Sequence, residues 1–164
     1  MMTRMSNALT GIAGAYFVAA ELSQRGYIAT VTSRNTEGID ILASSLDGSK
    51  TVSIQVKTSA AKQRERFSRS WILAKKHEGI FSPKLFYVFV DLYEGNQKPD
   101  FYVVPSKAVA DYIRKAHQKW LNNPTKTGKT RKDSDMRLYE ILDESEAKKS
   151  LNNWARLGLD QEGK

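Results

Sequence analysis

Three polar residues lie on a predicted β-hairpin, where their types and spacing are suited to chemistry. Asp40 begins the first strand, and Gln55 and Lys57 lie on one face of the second strand because side chains alternate between faces. Asp47 and Gly48 mark the turn, since Asp-Gly between two alternating apolar runs is a strong hairpin signal. We therefore expect a carboxylate, an amide and an ammonium to meet at one sheet edge. The structural alternative is a strand-edge salt bridge with an amide neighbour.

The surrounding elements predict an α/β fold, with a single mixed β-sheet flanked by helices. Apolar residues at helical spacing predict a first helix over 7–25, which Gly26 ends. The β-branched run 27–33 predicts a strand, and the almost continuously apolar run 85–92 predicts a strand covered on both faces. The remaining expected elements are a strand at 101–104, a helix from 105 to about 121, an extended piece at 137–141 and a last helix from about 144 to 157.

The composition of the chain limits which partners it is expected to bind and which kinds of metal site it can contain. The chain has 164 residues and a formal charge of +8, which favours an anionic partner, with nucleic acid ahead of an acidic protein or a membrane surface. The absence of cysteine excludes disulfides and thiolate zinc sites, and two histidines argue against a histidine-rich metal centre. No apolar run is long enough to span a membrane, and the amphipathic first helix only loosely mimics a secretory signal, so we expect a cytoplasmic protein.

Four short motifs, taken in order, resemble the PD-(D/E)XK nuclease superfamily. They are Gly11-x-x-Gly14, Ala19-Ala20-Glu21-Leu22 with Arg25-Gly26-Tyr27, Gly38-Ile39-Asp40-Ile41, and Gln55-Val56-Lys57-Thr58. The chain is most similar to the Holliday-junction-resolvase-like and restriction-endonuclease-like branches, in a form with glutamine in the second motif. The motifs cover 8–59, and the order of elements extends the resemblance over 85–120. It implies one restriction-endonuclease-like domain over 1–164, with a core at about 8–121 and a C-terminal loop and helix at 122–164.

The resemblance also implies roles for the hairpin residues. Asp40 would be the metal-binding aspartate, Gln55 the second-motif ligand and Lys57 the motif lysine, and the carbonyl of Val56 would also face the metal. Oxygen ligands suit a hard cation such as Mg²⁺ or Mn²⁺. A lysine beside that cation could position the attacking water or stabilise developing charge.

Two departures from the family pattern predict a weakened metal site. The second motif carries Gln55 instead of an acid, and the first helix carries Ala15 where many relatives have glutamate. Each lost carboxylate removes an attraction of about 4 kcal/mol at close range, before desolvation is counted. We therefore expect the cation to bind weakly if at all. Glu21, on the same helix, and Glu37, just before Asp40, are the acids that could substitute.

A basic segment after the hairpin is the candidate nucleic-acid surface. Its members are Lys62, Arg64, Arg66, Arg69, Lys75 and Lys76. Their position directly after Lys57 would let them contact a phosphate backbone, although a solvated charged face has the same composition.

Other residues capable of binding have structural interpretations. We expect Trp71, Trp120 and Trp154 to pack in the core or dock helices rather than stack on bases. We expect His77 at the surface, and the basic residues of 126–132 in a loop rather than a second contact.

Three functions remain open from the sequence. The first is a nuclease-like protein that hydrolyses DNA with a metal ion bound at a degenerate site. The second is a catalytically inactive DNA-binding module on the same fold, and the third is a protein-interaction module that binds an acidic partner. Asp40 and Lys57 favour the first, whereas Ala15 and Gln55 favour the second. The resemblance to resolvases further implies a homodimer.

Overall fold

A five-stranded mixed sheet forms the centre of the protein. The computed structural model describes residues 6–33, 38–60, 69–93, 97–142 and 144–160. The strands in these ranges are β1 (Ile28–Val31), β2 (Ile41–Ser44), β3 (Thr51–Ala60), β4 (Arg69–Ala74), β5 (Leu85–Leu92), β6 (Asp100–Pro105) and β7 (Met136–Ile141). The central sheet has the order β1-β2-β3-β5-β6, with β3 and β5 parallel and the other pairs antiparallel. The predicted α/β fold with a mixed sheet and flanking helices is confirmed.

The two parallel strands form the interior. All eight residues of β5 are buried, as its continuous apolar run predicted. On one face of the sheet, helix α1 (Asn7–Gln24) packs Val18 and Leu22 against Ile54 and Val56 of β3. On the other face, helix α2 (Ser106–Asn122) packs over the aromatic residues of β5. The alternation along β3 therefore separates its apolar residues from Gln55 and Lys57.

A second, two-stranded sheet adds to the predicted single sheet. Strands β4 and β7 pair in antiparallel register, with Ile72 opposite Leu138. Trp71 and Leu73 point inward from β4 and contact the aromatic residues of β5 and β6, with Trp71 5.1 Å from Phe89 between ring centroids. Because the two strands are far apart in sequence, local periodicity did not reveal their pairing.

The predicted last helix over 144–157 is wrong in its length. Helix α3 (Glu144–Ser150) ends early, and a separate 3₁₀ turn covers Trp154–Leu157. Between them, Leu151 forms a bridge with Tyr102, and Asn152 adopts a φ of 50° and donates its backbone N–H to Phe101 at 2.7 Å. Asparagine tolerates this left-handed conformation, so docking on β6 interrupts the helix. Trp154 and Leu157 are nevertheless buried, as predicted.

The hairpin between β2 and β3 forms at the expected turn. Gly48 has a φ of 73°, which glycine adopts at little cost, and Asp47 accepts a hydrogen bond from the backbone of Ser49 at 3.0 Å. Within the described ranges, no helix has the length and apolar character needed to cross a bilayer.

Candidate active site

Asp40 is fixed by backbone hydrogen bonds on both sides. Its N–H donates to the carbonyl of Ile54 at 2.9 Å, and its own carbonyl accepts from Thr32 at 2.9 Å. Ile41 is also the register partner of Ile54, so two residues face one residue of β3, as in a β-bulge. Such an irregularity re-aims a side chain, and it here directs the Asp40 carboxylate toward β3.

The structure brings Asp40 and Gln55 into contact. Oδ2 of Asp40 accepts hydrogen bonds from the backbone N–H of Val56 at 2.7 Å and from Nε2 of Gln55 at 3.2 Å. Gln55 is buried, and its Oε1 has no hydrogen-bond partner in the part of the chain that the structure describes. Gly38, with a φ of 75°, lies beside this oxygen, since a Cβ on the glycine would be 3.7 Å from it. A carboxylate and an unpartnered amide oxygen therefore lie together where β2 begins.

Lys57 is half-buried near this pair. Burial lowers the pKa of Lys57 below its ordinary value, because the charged ammonium loses solvation. The negative charge of Asp40 acts in the opposite direction, whereas the positive charge of Lys76 lowers the pKa further. The ammonium thus lies within electrostatic range of the Asp40 carboxylate.

His77 is a neighbour of the site that the sequence did not indicate. The expectation of a surface histidine is wrong, since His77 is only 4% exposed and its Nδ1 lies 2.7 Å from Oη of Tyr87. Tyr87 is the register partner of Gln55 on β5. Burial lowers the pKa of His77 to about 4, and the charges of Lys57 and Lys76 act in the same direction. No local motif could reveal this position, because the cover over His77 comes from distant segments.

The oxygen donors suit a hard cation that keeps most of its own water. Asp40 supplies the one charged group and Gln55 an unpartnered carbonyl oxygen, and Mg²⁺ binds to such groups through one or two protein ligands. The role of the Val56 carbonyl stays a prediction, and the structure shows its N–H bound to Asp40. Within the described ranges, no group of three or more His, Cys, Asp or Glu side chains is arranged to hold a metal ion.

Of the two acids that could substitute, the structure describes only Glu21. The carboxylate of Glu21 is held by Arg25 at 3.2 Å and by Lys98 at 2.5 Å. These ion pairs already compensate the charge of Glu21, and its part as a substitute metal ligand stays a prediction. Glu37 lies outside the described residues.

The predicted nucleic-acid surface is described only in part. Lys62, Arg64 and Arg66 lie outside the described residues. Lys75 forms an exposed ion pair with Asp133 at 2.9 Å, and Lys76 is exposed. Phosphate contacts by these lysines stay a prediction.

Arg69, by contrast, has an internal role. Its guanidinium donates to Asp91 at 2.7 Å, to Asp100 at 3.2 Å and to Oη of Tyr93 at 2.8 Å, and it also contacts Oη of Tyr102. These partners come from β5, β6 and the residue that follows β5. The expectation that Arg69 contacts phosphate is therefore corrected, because its donors are directed into the protein.

Comparisons with known proteins give similarity to two nucleases. No family model and no curated protein matches the chain. The bacterial homing endonuclease I-Ssp6803I is 12% identical, with a TM-score of 0.47, over 85% of this chain and 78% of its own. Hjc, a Holliday junction resolvase from the archaeal hyperthermophile Archaeoglobus fulgidus, is 14% identical, with a TM-score of 0.36, over 82% of this chain and 91% of its own.

Proposed function

We propose that the protein is a nuclease of the PD-(D/E)XK type, which hydrolyses phosphodiester bonds of DNA with a weakly held divalent ion, Mg²⁺ or Mn²⁺. The contact between Asp40 and Gln55 carries this proposal. It places a carboxylate beside a buried amide oxygen that has no partner among the described residues. Leaving such a group unsatisfied costs about 1 to 3 kcal/mol, and a ligand role would offset that cost.

Each residue of the cluster would have a distinct part in the reaction. Asp40 and Gln55 would hold the ion through oxygen atoms, with the carbonyl of Val56 as a third donor. A bound divalent ion polarises the scissile phosphate and lowers the pKa of an attacking water. Lys57, whose pKa burial lowers, would orient that water and exchange a proton with it more readily than an exposed lysine.

The second candidate is a catalytically inactive module on the same fold, which binds DNA or an acidic protein. Two observations favour it. Ala15 offers no metal ligand on α1, and Oδ2 of Asp40 already accepts two hydrogen bonds. A single carboxylate then leaves the cation with little electrostatic attraction.

Cleavage of plasmid, linear and branched DNA in Mg²⁺ or Mn²⁺ tests the proposal. Asp40→Asn is the sharpest variant, because an amide oxygen can still accept from Val56 while the negative charge is removed. We expect Asp40→Asn and Lys57→Met to lose at least about 100-fold in rate. The control is Lys84→Met, which removes an exposed lysine outside the cluster. Equal cleavage by wild type and Asp40→Asn would remove the proposal.

Metal binding gives a readout that is independent of activity. Calorimetric titration with Mn²⁺ should show binding to the wild type and to Lys84→Met, and none to Asp40→Asn. Salt-sensitive DNA binding without metal binding or cleavage would identify the inactive DNA-binding module instead. Failure to bind any nucleic acid at low salt would favour the protein-interaction module.

A further inference from the structure

A small cavity lies between α2 and the outer face of β7, and its lining shares no residue with the Asp40 cluster. The cavity has a volume of about 140 Å³. Its lining includes His117, Trp120, Ser134, Met136, Leu138 and Glu140. A cavity of about 150 Å³ is sufficient to bind a benzene ring. The volume of this space is therefore close to what one planar ring needs.

The lining is suited to a planar ring with polar edges. Trp120 is 40% exposed and stacks on His117, with ring centroids 5.3 Å apart and planes 24° from parallel. Met136 and Leu138 add exposed apolar surface, and Glu140 supplies a carboxylate. Aromatic side chains bind unpaired bases, and a carboxylate accepts a hydrogen bond from the exocyclic amine of cytosine.

The loop beside the cavity carries positive charge in a defined conformation. Lys129 and Thr125 exchange hydrogen bonds across its turn, at 2.9 Å between backbones and 3.0 Å to the threonine hydroxyl. The guanidinium carbon of Arg131 lies 4.7 Å from the centroid of Trp120, and its Nε donates to the carbonyl of Asn123 at 2.8 Å. The basic loop is therefore anchored on a residue that lines the cavity.

The segment that carries Lys132 contacts two residues of the cavity lining. Lys132 lies between Arg131, which covers Trp120, and Asp133, which contacts Nε2 of His117 at 2.7 Å. Both Lys132 and Lys129 are exposed. An apolar ring site with lysines on the adjoining loop complements a ligand that joins a base to phosphates.

Charged residues also connect the surroundings of the cavity with the candidate active site. Asp133 also binds Lys75 at 2.9 Å, and the charge of the next residue, Lys76, acts on Lys57. A strand that passes Lys57 could therefore follow cationic side chains to the cavity.

We propose that this cavity binds one unpaired base of a nucleic-acid strand, with a preference for a base that carries an exocyclic amine. Trp120 and Leu138 contact the ring, Glu140 accepts from the amine, and Lys129 and Lys132 bind the flanking phosphates. The inference shares with the proposed function only the nucleic-acid partner, and it requires neither a metal ion nor cleavage.

Binding of labelled oligodeoxycytidine and oligodeoxythymidine to the full chain, measured by anisotropy with EDTA present, tests this site. We expect the cytidine strand to bind more tightly, and Trp120→Ala to weaken its binding about tenfold. Glu140→Ala should remove the preference between the strands. Lys132→Ala should reduce the dependence on salt and leave the preference unchanged. The matched control is Leu46→Ala, which truncates a 75% exposed residue of the turn between β2 and β3 that does not line the cavity.

Asp40→Asn separates this inference from the proposed function. Retained cytidine binding in that variant, with or without cleavage by the wild type, supports the base site independently. Unchanged affinity in Trp120→Ala, or equal affinity for the two strands, would overturn it. Sedimentation measurements test the alternative that a second copy of the chain occupies this face. Self-association lost in both Trp120→Ala and Ile72→Ala, with unchanged oligonucleotide affinity, would assign this face to a second copy of the chain and reject the base site.

Discussion

Gly14 of α1 lies so close to Thr58 of β3 that a Cβ on the glycine would be 1.9 Å from the threonine hydroxyl oxygen. Thr58 directly follows Lys57, so this contact fixes the strand that carries the candidate site. Gly11, almost one helical turn earlier, is exposed and has no atom within 4 Å of the corresponding position. The two glycines of the Gly-x-x-Gly motif therefore have different roles, and only the second permits close packing.

Gly14→Ala should destabilise the protein although alanine favours the helix. The gain in helix propensity is about 1 kcal/mol, whereas overpacking of a buried contact costs about 1 to 3 kcal/mol. The β-branched Thr58 can give little room, because it is held within a central strand. We expect a net loss of up to about 2 kcal/mol in the free energy of unfolding, measured in urea. The control, Gly11→Ala, should raise that free energy by up to about 1 kcal/mol. Equal stabilisation by both substitutions would contradict the close contact.

Gln55→Glu should lower the stability of the metal-free protein and raise its affinity for the metal ion. In the metal-free protein, a second carboxylate would replace the amide that donates to Asp40 at 3.2 Å, and the free energy of unfolding should fall by about 1 to 3 kcal/mol. With Mn²⁺ present, the added charge should raise the affinity at least about tenfold. Thermal denaturation and calorimetric titration measure the two effects. Gln118→Glu, on the exposed face of α2, controls for net charge. Unchanged Mn²⁺ affinity in Gln55→Glu would show that this position is not a ligand.

The hairpin and the strands of the central sheet follow from short-range patterns. Period-two alternation placed Gln55 and Lys57 on one face, and the unbroken apolar run of β5 indicated burial on both faces. These signals depend on the backbone geometry of a strand alone. The site residues could be proposed from sequence because a tight turn brings their strands together.

Features that depend on distant contacts were not predictable in this way. The pairing of β4 with β7 joins Ile72 to Leu138, and the end of α3 depends on the bridge from Leu151 to Tyr102. Arg69 resembled a surface cation because its acidic partners belong to later segments. A local sequence pattern does not show which distant side chain will bury a residue or pair with its charge.

Arg69→Met should be strongly destabilising because it leaves a buried acid without its guanidinium partner. The Asp91 side chain is only 4% exposed and lies 2.7 Å from Arg69. Removing one partner of a buried ion pair costs about 3 to 5 kcal/mol. Lys75→Met, which breaks the exposed pair with Asp133, should cost less than about 1 kcal/mol. Urea denaturation measures both variants. Wild-type stability together with lost DNA binding in Arg69→Met would instead restore the nucleic-acid role of this arginine.

His77 should make stability depend on pH between about 6.5 and 4. Its pKa is lowered from 6.5 to about 4 in the folded protein, chiefly by burial, with Lys57 and Lys76 adding to the effect. Between these values the unfolded chain binds a proton that the folded protein does not. The free energy of unfolding should therefore fall as the pH drops, by about 2 kcal/mol from pH 7.5 to pH 5.

Urea denaturation of His77→Gln over the same pH range isolates this contribution. Glutamine can still form a hydrogen bond with Tyr87 but does not titrate, so the variant should show a flatter profile. Working above pH 5 keeps the profile clear of Glu21 and Asp111, whose pKa values lie below their ordinary values of 4.5 and 3.8. A wild-type slope retained in His77→Gln would show that the buried imidazole does not control the acid sensitivity of the fold.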